Sequence, residues 1–348
     1  MKPDFKNPPS IIVVQIGKIG DMILSTPLFS ELKKLFPDSR LTVLASEINK
    51  DIPLNHSSVD EVIIFRKNIF RRIFLLKHMF LKTDIWIDTK DNYSKTSGLL
   101  FKIFRPVFSL GFKFPENKIN YNVYLNEYAA GKHAVDLNLS PLNYFIDSNV
   151  KIKTLPSYNI PFNIKNKFER KFSTGKDKLN ILINISAGSK SRYLHEKTWT
   201  EIIDHLSGNK KLQFILNGIE QDKKIINYIL ENTKSKKVKY LPAQNILETS
   251  EIVRNSDLII TPDTSVVHIC SAFSKPVVAI YPDVKWNLEK FSPLSEKKVI
   301  VVSEDENSVN NVKAETIITA ANKLLEEIIQ EKISGNAESR TRVRKEDH

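Results

Sequence analysis

Residues 257–282 read DLIITPDTSVVHICSAFSKPVVAIYP, and this stretch decides the fold. Leu258, Ile259 and Ile260 form a short apolar run, as in a strand covered on both faces. Thr261, Pro262, Asp263 and Thr264 supply turn chemistry that ends in two good helix-capping residues. Residues 266–273 are small and apolar and suit a helix, Pro276 stops it, and residues 277–280 form a second strand. Such a βαβ unit presents a helix N-terminus at the carboxyl edge of a parallel sheet. Unpaired N–H groups and the helix dipole there attract an anion. Thr264 and His268 lie four apart, so both can face one side of that mouth. Two readings stand together: Asp263 and Thr264 as caps with His268 a half-buried core histidine, or all three as ligand contacts.

Working outward, the same pattern recurs on both sides. Residues 11–16 form a near-continuous apolar strand, followed by Gly17, Lys18, Ile19, Gly20 and Asp21. A helix is expected over 22–36, ending before Pro37, and a strand over 41–45. The loop lacks the G-x-G-x-x-G spacing of a dinucleotide site and the chain lacks a P-loop, but the two glycines allow a tight turn and close ligand approach. Strands follow at 62–65 and 85–87, an aromatic and basic helix end and strand at 99–114, and a helix at 126–144 broken near Pro141. Residues 151–178, rich in Pro, Lys and Asn, lack sustained periodicity. Strands at 180–185, 213–216 and 238–241, helices at 198–206 and 222–232, and the opening unit then make a second parallel sheet. The expected organisation is α/β. It comprises a Rossmann-like domain at 1–155, a linker at 156–178, a second Rossmann-like domain at 179–333 ending in a long helix, and a charged, disordered tail at 334–348.

With 348 residues, 41% of them hydrophobic and 26% charged, the chain suits two soluble globular domains. No run approaches the roughly 20 apolar residues of a membrane span. No signal peptide is expected, because MKPDFKNPPS precedes the first strand without an apolar stretch. Cys270 is the single cysteine, so an intrachain disulfide is excluded and a reducing cytoplasm fits. The net charge of +12 favours anionic partners. Nucleic acid is not expected among them, since the basic residues form no recognised module. Residues 67–82, KNIFRRIFLLKHMFLK, carry two readings. Ile69, Ile73, Leu76 and Phe80 suit a crossover helix on the sheet. Phe70, Phe74 and Leu81 beside Lys67, Arg71, Arg72, Lys77 and Lys82 suit contact with a membrane surface.

Three loops of the second half, 186–189, 218–220 and 261–264, fall at strand carboxyl ends, which converge in a doubly wound sheet. Hydroxyls and N–H groups of the first and third, including Ser186 and Ser189, suit a diphosphate. Lys197 can neutralise leaving-group charge, and Glu220 can accept hydrogen bonds from ribose hydroxyls. The bland alternative for Lys197 and Glu220 is a solvated surface charge. Asp21 is either a helix cap or a general base. No D-x-D, G-x-S-x-G or C-x-x-C occurs, and the histidines lack metal-ligand spacing.

Residues 11–46, IIVVQIGKIGDMILSTPLFSELKKLFPDSRLTVLAS, resemble the amino-terminal signature of the ADP-heptose:lipopolysaccharide heptosyltransferase family, glycosyltransferase family 9. Residues 258–283 resemble its donor-site signature, usually D-T-G-x-x-H. Weaker matches are HAVDLNL at 133–139, SAGSKSRYLHEKTW at 186–199, LNGIEQD at 216–222, and W-x-x-x-x-F-S-P from Trp286 to Pro293. The resemblance implies a GT-B fold, two Rossmann-like domains with the active site between them. It implies metal-independent, inverting transfer of heptose from ADP-heptose, a donor substrate rather than a cofactor, to the anionic inner core of lipopolysaccharide. The expected location is cytoplasmic, peripheral on the inner membrane. Asp21 matches the family's catalytic base. The 186–189 turn and Lys197 match its phosphate contacts, Glu220 its ribose contact, and Asp263, Thr264 and His268 its donor signature. Ser265 stands where the family usually has glycine, so its side chain either crowds the diphosphate or replaces a backbone contact. The rival readings are a GT-B enzyme with another nucleotide sugar or acceptor, and an inactive nucleotide-sugar-binding homologue.

Overall fold

The computed structural model describes residues 8–66, 83–92, 94–116, 118–146, 155–172 and 178–346, with only the backbone for 335–346. The chain divides into two compact units, Met1–Pro161 with Glu289–Phe291, and Phe162–Leu288 with Ser292–His348. The α/β, doubly wound expectation is met in each.

The first unit contains β1 (Ser10–Gln15), β2 (Arg40–Ser46), β3 (Glu61–Phe65), β4 (Ile85–Asp88), β5 (Phe108–Gly111) and β6 (Val123–Tyr124). Their order is β3-β2-β1-β4-β5-β6, and every pairing is parallel, with Ile11 opposite both Leu41 and Ile85. The second unit contains β7 (Leu179–Asn184), β8 (Leu212–Asn217), β9 (Val238–Tyr240), β10 (Leu258–Pro262), β11 (Val277–Tyr281) and β12 (Lys298–Val302). These run β12-β11-β10-β7-β8-β9, again all parallel. Every residue of β7, β10 and β11 is buried, as strands covered on both faces require. Strand order reverses between β1 and β4 in one sheet and between β7 and β10 in the other. At such a switch point the outgoing loops separate and leave a crevice at the carboxyl ends.

Core side chains fix both sheets. In the first unit Trp86 packs edge-on against Phe101 and tilted against Phe104. In the second, Trp199, Ile202, Ile203 and Leu206 of helix Glu196–Leu206 meet Phe214 on the sheet and Ile317, Ala321 and Leu324 of the C-terminal helix.

Several elements differ from the sequence reading. The helix expected from residue 22 spans Ile19–Leu35, so Asp21 is its third residue. It runs through Pro27, whose missing N–H leaves the carbonyl of Ile23 without its usual donor, and the Thr26 hydroxyl supplies one at 2.7 Å. Helix Ala134–Phe145 likewise does not break at Pro141, because Ser140 donates to the carbonyl of Leu137 at 2.7 Å. Residues 126–133, expected to be helical, hold instead the end of the short 3-10 turn Leu125–Glu127 and its connection. Within the expected linker, Phe162–Phe168 is a helix that buries Ile164 and Phe168 in the second unit; two apolar residues four apart are too few to register as periodicity. The sequence reading also lacked β6, β12 and helices Ile246–Arg254 and Lys285–Phe291. The C-terminal helix spans Ala314–Glu346, where a disordered tail was expected from 334. Its last turns have the polar composition of a disordered segment, but extending an existing helix needs no new nucleus. The basic segment 67–82 lies outside the described residues.

Candidate functional site

The crevice of the second sheet is lined by the loops after β7 and β10. Asn184, the last residue of β7, ties them together: its Nδ2 donates to the carbonyl of Ser186 at 3.2 Å and to Thr261 Oγ1 at 2.8 Å. Thr264 caps helix Ser265–Ala272, its hydroxyl accepting from the N–H of Val266 at 3.2 Å. Ser265 is the first helical residue, and φ is positive only at Arg105 and Ser274 among the described non-glycine residues. The backbone at 265 therefore places no conformational demand for glycine. His268 is buried inside the same helix.

Asp263 immediately precedes this cap and is buried. Its Oδ2 accepts from Asn287 Nδ2 at 2.7 Å and pairs with Arg192 Nη1 at 3.1 Å; Arg192 Nη1 also donates to the Asp263 carbonyl at 3.3 Å. Burial, and then the nearby Asp263 charge, push the Tyr281 phenol far above its ordinary range.

The loop after β8 is held by a second buried carboxylate. Asp222 accepts from the Ile219 N–H at 3.0 Å, from the Tyr193 phenol at 2.8 Å, and from the Ser186 hydroxyl. The Ser186 oxygen in turn accepts from the same Ile219 N–H at 3.0 Å. Ser186 thus locks two loops together. Burial first, and Asp222 second, raise the Tyr193 pKa. The remaining expected residues are on the surface. Ser189 pairs with Ser191 at 2.9 Å, Lys197 is exposed in the first turn of its helix, and Glu220, 84% exposed, pairs with Lys223 at 3.2 Å.

In the first unit the crevice lies between the ends of β1 and β4. Asn49 fastens the loop after β1, its Nδ2 donating to the carbonyls of Gln15 at 2.9 Å and Gly17 at 3.1 Å. Asp21 Oδ2 accepts from the Lys18 N–H at 3.1 Å, so the carboxylate caps its own helix. Gly17 is needed for space rather than for an unusual φ: a Cβ there would lie 2.8 Å from both Asp21 Oδ2 and Gln15 Oε1. Gln15, the last residue of β1, ties helix Ile19–Leu35 to the loop after β4, its Nε2 donating to Ser25 Oγ at 3.1 Å and Thr89 Oγ1 at 3.0 Å. At the end of β4, burial raises the pKa of Asp88, against the opposing effect of a 2.8 Å bond from the Tyr121 phenol. Among the described residues no group of three His, Cys, Asp or Glu is placed to hold a metal ion.

Sequence reasoning missed Asn184, Arg192, Asp222 and Asn287. Asn184 leaves a trace, a polar residue closing the apolar run LNILIN. Arg192 and Asn287 lie inside quoted stretches, but nothing in their spacing sets them apart.

Residues 83–321 match the family described as glycosyltransferase family 9 (heptosyltransferase). The chain is similar to the Escherichia coli (strain K12) protein named "Putative lipopolysaccharide heptosyltransferase 4", with 23% identity over 324 residues, 90% of this chain and 86% of that protein. It is similar in structure to a glycosyl transferase family 9 protein from Veillonella parvula DSM 2008, with TM-score 0.81 and 18% identity, covering 94% and 99% of the two chains. For E. coli ADP-heptose lps heptosyltransferase II the TM-score is 0.74 and the identity 19%, covering 93% and 99%. With the two six-stranded parallel sheets, these likenesses define a GT-B type fold.

Proposed function

Because the chain belongs to glycosyltransferase family 9, and is therefore a glycosyltransferase, we propose that it transfers heptose from ADP-heptose to the inner core of lipopolysaccharide with inversion at the anomeric carbon. The observation that carries this reading is the switch point of the second sheet. There a capped helix N-terminus at Thr264 stands beside the 186–189 turn, joined to it through Asn184. Helix N–H groups and hydroxyls so arranged favour a diphosphate. The name of the similar heptosyltransferase II carries ADP-heptose as well.

In this reading Asp21 takes the proton from an acceptor hydroxyl while that oxygen attacks the anomeric carbon. The bond to the diphosphate breaks, and ADP leaves with the electron pair. Helix N–H groups at Thr264 and the charge of Lys197 stabilise the departing ADP, and Glu220 holds the ribose. Asp21 suits the base role because its carboxylate is half-exposed and held by one backbone N–H, which fixes its direction. Ser265 adds a hydroxyl at the first helical position, and His268 backs the helix from within. No cofactor is required. The acceptor is lipid-linked, which puts the enzyme at the cytoplasmic face of the inner membrane. Among the described residues no helix is long and apolar enough to cross a membrane.

A transfer assay pairing ADP-heptose and several UDP- and GDP-sugars with core-truncated lipopolysaccharides tests the assignment. Transfer from ADP-heptose alone is expected. Equal transfer from another nucleotide sugar would change the donor, and no transfer from any would favour the inactive homologue.

A further inference from the structure

Gln15 ends β1 at the carboxyl edge where the first sheet reverses its order, and it is only 4% exposed. The protons of its neighbours orient its amide. The Ser25 hydroxyl donates to the carbonyl of Asp21 at 2.9 Å, and the Thr89 hydroxyl to that of Val14 at 2.9 Å. Each hydroxyl hydrogen is thereby committed, so both oxygens accept from Gln15, and the amide atom that faces them is Nε2. Oε1 is turned the other way, toward Gly17. Among the described residues it accepts no hydrogen bond. A carbonyl oxygen on a nearly buried side chain is costly to leave without a donor, so its direction points to a donor brought by a ligand.

That direction coincides with the one taken by the proposed base. A Cβ added to Gly17 would meet Gln15 Oε1 and Asp21 Oδ2 at the same distance, 2.8 Å. The two oxygens therefore border one space, kept open by the side chain that Gly17 lacks. Two acceptors side by side select a ligand that brings two hydrogens. The hydroxyl that attacks carries only one, and Asp21 takes it. The second must come from another hydroxyl of the same sugar, and adjacent hydroxyl oxygens on a pyranose ring stand about a hydrogen-bond length apart.

We infer that Gln15 binds the acceptor sugar: its Oε1 accepts a hydrogen bond from the hydroxyl adjacent to the one that attacks, so the site selects an acceptor with a vicinal diol. This rests on Asp21 as the base in the reaction proposed above. With Asp21 on one hydroxyl and Gln15 on its neighbour, the ring is held at two points, which aims the attacking oxygen. The bonds to Ser25 and Thr89 fix the Gln15 amide before the sugar arrives, so little side-chain freedom is lost on binding.

Transfer kinetics and calorimetry on the full chain test it, with ADP-heptose and a core-truncated lipopolysaccharide. Gln15→Met keeps the length and removes the oxygen. It should raise the acceptor KM roughly 10-fold, the worth of one hydrogen bond, and leave the KM for ADP-heptose unchanged. Hydrolysis of ADP-heptose without acceptor, in which water gives its proton to Asp21, should continue at the wild-type rate. Thr89→Val removes one anchor and keeps Oε1, so it should lower the melting temperature while moving the acceptor KM much less. Gln15→Glu retains an accepting oxygen, and the Ser25 and Thr89 hydroxyls can turn to donate to it. It should bind the lipopolysaccharide within a few-fold of wild type. The inference would be overturned by an unchanged acceptor KM in Gln15→Met, by an equal loss of hydrolysis, by an equal KM rise in Thr89→Val, or by a loss in Gln15→Glu as large as in Gln15→Met. If another nucleotide sugar proved to be the donor, with the same dependence on Gln15, the donor assignment would fall and the inference would stand. If no sugar were transferred, calorimetry with the lipopolysaccharide decides. Weaker binding by Gln15→Met would keep the contact to the acceptor while the transfer reading falls, and equal binding or none would overturn both.

Discussion

Gly17→Ala isolates the placement of the proposed base from its chemistry. The new Cβ would lie 2.8 Å from Asp21 Oδ2 and 2.8 Å from Gln15 Oε1. Ordinary carbon–oxygen contact needs about 3.4 Å or more, so something must move by roughly half an ångström. The loop backbone resists, because the Gly17 carbonyl is held by Asn49 at 3.1 Å and by Ser46 Oγ at 3.4 Å. Gln15 resists as well, through its bonds to Ser25 and Thr89. The Asp21 carboxylate, held by one bond from Lys18 N–H, is the part that gives. Losing that bond costs about 1 kcal/mol. The described glycines have no positive φ, so alanine adds no backbone strain at position 17. Displacing a base by half an ångström or more lowers kcat by roughly 10- to 100-fold. We therefore expect a near-normal melting temperature, unchanged ADP affinity and a much lower kcat in steady-state transfer assays. Wild-type kcat with an intact fold would refute the placement of Asp21 as base.

Two further perturbations probe the scaffold. Asp222→Asn turns an all-acceptor hub into one that presents an N–H₂ to the donors from Ile219, Tyr193 and Ser186, so urea unfolding should show a loss of about 2–4 kcal/mol, and an unchanged midpoint would mean the hub is incidental. His56 is buried, and desolvation lowers its pKa to about 4. The unfolded chain, titrating near 6.5, therefore binds the extra proton first. The stability that neutral His56 provides is complete above about pH 6.5 and is lost as the pH falls toward 4, by up to about 3 kcal/mol at ~1.36 kcal/mol per unit. Stability curves of wild type and His56→Gln should converge as the pH drops from 6.5 to 4.5; parallel curves would exclude His56 as the cause.

The fold was legible where one residue pattern had one physical cause. Fully covered parallel strands show as runs such as ILIN and LIIT, and the turn at 261–264 announced its helix through capping chemistry. It failed where a local rule was overruled by a neighbour. Pro141 read as a helix breaker, yet the hydroxyl of Ser140 just before it replaces the lost donor, a compensation that spacing does not advertise. In the site, Thr264 was readable as a cap because capping is local. The bond from the Ser186 hydroxyl to Asp222 reaches 36 residues along the chain, beyond any local pattern. The Arg192–Asp263 pair joins two loops 71 residues apart. Only the parallel neighbours β7 and β10 bring those loops together, so their partnership is invisible to sequence periodicity.

The central claim, that Asp21 is the proton acceptor in a heptose transfer, is most directly tested by single-turnover transfer from ADP-heptose by wild type and Asp21→Asn. Asparagine keeps the size and still accepts the Lys18 N–H, and the two residues cap helices about equally well, so folding and ADP binding should be preserved. The account predicts a rate reduced by roughly 10²- to 10⁴-fold, the range for removal of a positioned base. A near wild-type single-turnover rate, with an unchanged melting temperature, would contradict it and leave Asp21 as a helix cap.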